Sequence, residues 1–129
     1  MTHPPANPNL SVPARRLLAF LQQLKGKGIL SGQHDYLEAP DVYPNQIFGL
    51  TGKYPAVHGY EMGPIMGQSA VQIAQQRNGV VDSAIRWHNA GGIVTMMFHA
   101  HYPGMAPLWA NVQRATTEQE FNQIVTPGT

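Results

Sequence analysis

The chain has 129 residues, of which 43% are hydrophobic and 12% charged, a composition suited to one compact folded domain. Eight Lys and Arg against seven Asp and Glu give a formal net charge of +1. No broad electrostatic attraction therefore draws the chain to nucleic acid or to an anionic membrane, and a neutral ligand is expected. The absence of cysteine excludes a disulfide framework and thiolate chemistry, the N-terminus lacks the basic-then-apolar order of a signal peptide, and no apolar run is long enough to span a bilayer.

Residues 1–10 are proline-rich and read as an irregular lead-in, leaving 11–129 as the domain. Ser11 can cap a helix, Pro13 is tolerated in its first turn, and Leu17, Leu18, Leu21 and Leu24 recur at helical spacing until Lys25-Gly26-Lys27-Gly28 stops them. This helix is expected to pack one face on a sheet. Ile29 to His34 predicts a short strand with His34 and Asp35 at its C-terminal end. Tyr36 to Asn45 reads as a loop, and Gln46 to Leu50 as a turn of helix ended by Thr51-Gly52.

Pro55 to Glu61 predicts a second strand, with His58 buried within it and Tyr60 and Glu61 at its end. Beyond a loop from Gly63 to Gln68, the residues Val71, Ile73, Ala74, Val80, Val81, Ala84, Ile85 and His88 follow helical spacing. Gly79 leaves one long helix or two short ones open, and His88 is expected on the apolar face as a core histidine. Gly91-Gly92 then closes the helix in the left-handed conformation.

Ile93 to Phe98 is too short for a helix and partly β-branched, so it predicts a buried strand that delivers His99 and His101 to its own C-terminal end. That edge is where parallel α/β folds keep their chemistry. A connection rich in Pro and Gly runs from Tyr102 to Trp109, and Thr116 or Thr117 with Glu120 forms a capping box for a last helix, cut short at Pro127-Gly128-Thr129.

One helix followed by three repeats of strand, polar strand end and helix predicts an α/β fold with a parallel sheet. Three parallel strands leave two unpaired edges, so the sheet is read as part of a larger barrel.

The ordered set Ser31-Gly32-Gln33-His34, Thr51 to Glu61 (TGKYPAVHGYE), Ala84 to Thr95 (AIRWHNAGGIVT) and Phe98-His99 resembles glycoside hydrolase family 26, best known for β-mannanases. The resemblance implies a (β/α)8 TIM barrel, present here as about its first three βα units, and hydrolysis of β-1,4-mannan with retention of configuration. It also implies a secreted or cell-surface location and no cofactor. In the family order the acid/base and nucleophile glutamates follow strands four and seven, beyond Thr129, so no catalytic residue is expected in this chain and inactivity alone is. What carries over is a substrate-binding set, with His99 at the cleavage subsite and His34 as a wall of the cleft. Tyr60 and Glu61 match a Gly-aromatic-acid pattern in which the family more often has Asp. Tyr60, Tyr102 and Trp109 sit where aromatic faces can stack on sugars. The implied partner is β-mannan or a related polysaccharide.

Other readings stand beside this one. A retaining glycosidase needs two carboxyl groups roughly 5–5.5 Å apart, and Asp35 and Glu61 are the acids at predicted strand ends, although hydrogen-bonding roles suit them better. His99 and His101 form an H-x-H pair that a metal-dependent hydrolase could use with His34 and Glu61, but structural or sugar-binding histidines fit the strand's end better, and no metal is expected. A non-enzymatic carbohydrate-binding module could instead associate with copies of itself through the open edges as a homo-oligomer. The sequence has neither a phosphate-binding glycine loop nor a G-x-S-x-G turn.

Overall fold

The computed structural model describes residues 6–63 and 67–126, which divide into two units, one ending at Ser31 and one beginning at Gly32. Much of the expected lead-in, part of the loop after Gly63 and the stop at 127–129 lie outside the described residues. In the first unit, helix α1 (Val12–Leu24) is capped by Ser11, whose hydroxyl accepts from the Ala14 N–H at 3.4 Å. Pro13 sits in its first turn, where a missing N–H leaves no helical bond unmade. None of the α1 side chains is buried.

The second unit runs β1 (Gly32–Asp35), α2 (Val42–Thr51), β2 (Val57–Glu61), α3 (Ala70–Asn89), β3 (Ile93–Met97), α4 (Trp109–Val112) and α5 (Glu118–Val125). The strands form one sheet in the order β1-β2-β3, all parallel, as the alternation of strands and helices predicts. The register sets His34, Gly59 and Thr95 level with one another, and Asp35, Tyr60 and Met96 one step further along. Successive side chains point to opposite faces, so these two rows lie on opposite sides of the sheet.

On one side lie α2 and α3, with α2 against β1 and α3 against β2 and β3. There Leu37, Tyr60 and Val80 are fully buried and Ala84 nearly so, with Met62, Trp87 and Val94 packed around them. The core is small, and Met96, Met97 and Phe98 stay exposed at and beyond β3.

Several boundaries differ from the sequence expectation. Strand β1 begins at Gly32, and Ile29, placed in a strand by its apolar character, is 96% exposed. Helix α2 starts at Val42 and takes in much of the expected loop, because Pro44 falls within the first turn, where it is tolerated. α3 is a single 20-residue helix through Gly79. It begins with a Ser69–Gln72 capping box, in which Ser69 N–H donates to Gln72 Oε1 at 2.9 Å and Gln72 N–H to Ser69 Oγ at 3.3 Å. His88 is exposed and not in the core, since the buried stripe of α3 runs through Val80, Ser83 and Ala84. Gly91 has φ +88° as the chain leaves α3, the left-handed conformation expected of it. The Thr117–Glu120 capping box opens α5 as predicted.

Candidate functional site

Glu61 is the last residue of β2, and His99 lies two residues beyond β3. Parallel pairing brings the two strand ends side by side, with Met62 N–H donating to the Met97 carbonyl at 2.8 Å. The Glu61 carboxylate, 12% exposed, then meets the imidazole of His99 through Oε2 and Nδ1. Its other oxygen, Oε1, accepts from the Gly63 N–H at 2.6 Å and from the His99 N–H at 3.3 Å. Burial pushes the Glu61 carboxyl up, but the Gly63 amide and the bonds from His99 outweigh it and leave the group below its ordinary value. The ionised carboxylate accepts, so His99 Nδ1 carries the hydrogen and Nε2 is the ring nitrogen left for a ligand.

Gly63 has to be glycine for space. A Cβ there would lie 2.8 Å from Glu61 Oε1 and 3.2 Å from both the backbone N and O of His99. Gly59, on the same face of β2, is similarly occupied, since a Cβ would meet His34 Nδ1 at 2.6 Å and Thr95 Oγ1 at 3.1 Å. His34 therefore lies across Gly59, two residues along the strand from Glu61 and on the same face. Trp109, at the start of α4 and 59% exposed, sets its ring edgewise to His99 at 5.2 Å. The segment leading to it is folded back on itself by Tyr102 N–H donating to the Asn111 carbonyl at 3.1 Å and Asn111 Nδ2–H donating to Ala106 at 2.8 Å.

Of the expected sugar-binding residues, Glu61, His99 and Trp109 are thus in one group, with His34 beside it on the same face. Tyr60 is a correction. It is fully buried on the helix side of the sheet, because β2 continues through Glu61 and strand alternation turns residue 60 away from residue 61. A ring with no exposed surface cannot stack on a sugar. Asp35 lies level with Tyr60 and is also fully buried on that side, so it cannot flank a bond together with Glu61. His101 is half-buried with no hydrogen-bond partner for Nδ1, and among the described residues no three His, Asp or Glu converge on a metal position.

On the helix side, a second polar chain came without a motif to announce it. Arg86 donates to Asp41 Oδ2 at 2.6 Å, Ser83 Oγ donates to Asp41 Oδ1, and the Tyr60 hydroxyl lies 2.8 Å from Ser83 Oγ and 3.2 Å from His58 Nδ1. Ser83 spends its hydrogen on Asp41, so Tyr60 donates to Ser83 and His58 Nδ1–H donates to Tyr60. His58 Nε2 then faces Asp35 Oδ2 at 3.4 Å, both side chains almost wholly buried. Burial raises Asp35 and lowers His58, more than their mutual attraction can offset, so this pair favours its neutral forms. Burial also pushes Tyr60 up to about 12, which keeps its hydroxyl a donor. The chain fastens the loop after β1 to β2 and α3.

Comparison with known proteins matches residues 6–128 to the profile of glycosyl hydrolase family 26. A mannan endo-1,4-beta-mannosidase from Thermothelomyces thermophilus is 31% identical over 98 residues, covering 75% of this chain and 19% of that protein. Among solved structures, GH26A from a Muricauda species superposes with a TM-score of 0.80 at 33% identity, covering 96% of this chain and 39% of that one. The GH26 domain of an endo-beta-mannanase/endo-beta-glucanase from Prevotella bryantii gives 0.57 at 30% identity, covering 72% of this chain and 28% of that one. The chain therefore spans well under half the length of these relatives.

Proposed function

Because the chain belongs to glycosyl hydrolase family 26, we propose that it forms one wall of a mannan-binding cleft in a glycoside hydrolase of the endo-1,4-β-mannanase type, with Glu61, His99, Trp109 and His34 against the sugar. The observation that carries this is the Glu61–His99 pair at the carboxyl end of the sheet, the edge where α/β barrels bind ligands. An ionised carboxylate and an imidazole nitrogen are acceptor and polar partner for neighbouring hydroxyls, and the exposed Trp109 ring offers an apolar face. The near-zero net charge suits a neutral polysaccharide.

Residues 1–129 by themselves bind without hydrolysing. Retaining cleavage requires two carboxyl groups about 5–5.5 Å apart. The alternative pairing of Glu61 with Asp35 fails because these acids face opposite sides of the sheet. Polymeric mannan is a substrate met outside the cell, so a secreted or surface location goes with this reading. Among the described residues, no helix is long and apolar enough to cross a membrane.

Affinity electrophoresis in gels containing mannan tests the proposal. The chain should be retarded in proportion to the polysaccharide, with no reducing ends released on prolonged incubation. Unretarded migration refutes the binding role, and released reducing ends refute the inactivity.

A second reading rests on the outer edges of β1 and β3, which pair with no strand among the described residues, and on the exposed Met96, Met97 and Phe98 at one of them. Here the chain is a carbohydrate-binding module that associates with its own copies through those edges. Sedimentation showing a well-folded monomer at micromolar concentration contradicts it.

A further inference from the structure

Arg77, in the first half of α3, ties together the two strand ends that carry the candidate site. Its Nε–H donates to the carbonyl oxygen of Met62 at 3.0 Å, and its guanidinium carbon lies 5.8 Å from the centre of the Phe98 ring. Met62 directly follows Glu61, and Phe98 directly precedes His99. One cation therefore touches the immediate neighbour of each member of the pair.

The clamp has a job to do because both segments have just left the sheet. Strand β3 ends at Met97, so nothing in the ladder beyond Met62 N–H to Met97 holds residues 98 and 99 against 61 to 63. The distance between these segments decides whether Gly63 N–H and His99 N–H can both reach Glu61 Oε1. A guanidinium can donate in its plane while presenting a face to an aromatic ring, which a lysine ammonium on its flexible stem cannot do in one fixed geometry.

We propose that Arg77 is a positioning residue that sets the geometry of the Glu61–His99 pair by holding Met62 and Phe98 together. Its contacts are to Met62 and Phe98 and not to Glu61 or His99. Its importance for mannan binding rests on the function proposed above, whereas its hold on the pair does not.

The test is the titration of the Glu61 carboxyl, followed by carbon-detected NMR in wild type, Arg77→Met, Arg77→Lys and Phe98→Leu, with thermal unfolding recorded for each. His99 is the ionisable group bonded to Glu61, and its ring signals are followed in the same spectra. Loosening the clamp weakens the two backbone bonds to Oε1, so the Glu61 midpoint should move up toward that of an ordinary glutamate. Arg77→Met also removes a positive charge, which alone would raise Glu61, so the decision rests on Arg77→Lys and Phe98→Leu, which keep a charge at position 77. An upward shift in either, with cooperative unfolding retained, supports the clamp. Wild-type titration in both overturns it, whether or not Arg77→Met folds. Mannotetraose affinity should fall about 10-fold in a shifted variant. If the wild type does not bind mannotetraose, the proposed function fails while the titration still decides the role of Arg77.

Discussion

The carboxylate of Glu61 and the imidazole of His99, 38 positions apart in the chain, are bonded to each other across the ends of adjacent parallel strands. The same carboxylate accepts two backbone N–H groups, so its charge is held by three donors in a half-buried setting. That arrangement fixes an acceptor and an aromatic nitrogen at the sheet edge with Trp109 beside them.

The native Glu61 carboxyl titrates below the unfolded one, so its contribution to stability is fully present above the ordinary glutamate value and is lost as pH falls through the native value. Glu61→Gln should therefore lower stability by about 1.5–3 kcal/mol near neutral pH, the range for hydrogen bonds to a charged group. Denaturant unfolding of both proteins at neutral pH and at about pH 3 checks this. The gap should close in acid, and a gap that does not change with pH contradicts the assignment.

Gly63→Ala places a methyl group between the Glu61 carboxylate and the His99 backbone. Backbone on the far side cannot yield easily, so the carboxylate must swing away. A loss of about 1–3 kcal/mol, typical of overpacking, is expected together with an upward shift of the Glu61 titration. Unfolding and carboxyl NMR on the same variant read both effects, and an unmoved Glu61 would show that the close approach is dispensable.

The places where sequence reasoning succeeded share a physical origin. Short runs bounded by glycine and a polar tip are strands in a parallel sheet, and parallel register leaves their ends together, so Glu61 and His99 were both legible at the correct edge. Strand parity was the weak point. Treating Tyr60 and Glu61 alike as strand-end residues ignored that neighbours on a strand face opposite ways, and it put a core tyrosine in the cleft. The Gly63 amide and Arg77 carried no motif, because one is a backbone donor and the other bonds a backbone carbonyl, and backbone atoms come within reach of these partners only on folding. Asp35 and His58 are 23 residues apart and meet only because β1 pairs with β2.

Tyr60→Phe separates the two faces of the sheet experimentally. Losing the hydroxyl leaves the buried His58 Nδ1–H without its acceptor, which should cost about 1–3 kcal/mol. Mannan retardation should stay as in the wild type, since the ring lies on the helix side. A Tyr60→Phe protein of normal stability that no longer binds mannan would reverse the correction made for this residue.

Asp35 offers a pH dependence of the opposite sign to Glu61. Its native carboxyl is raised, so its favourable contribution is present below the ordinary aspartate value and is lost as pH rises through the native value. Asp35→Asn resembles the neutral acid at every pH, and its stability relative to wild type should improve as pH rises from acid to neutral. Chemical unfolding across that interval reads the trend, and a trend in the other direction would mean that His58 holds Asp35 ionised.

Titration of the chain with β-1,4-mannotetraose, followed by NMR, tests the central claim most directly. The signals of Glu61, His99, Trp109 and His34 should move together along one saturating curve, those of Tyr60, His58 and Ser83 on the opposite face should stay still, and Glu61→Gln should weaken the curve. Saturating sugar that leaves Glu61 and His99 unmoved would contradict the account.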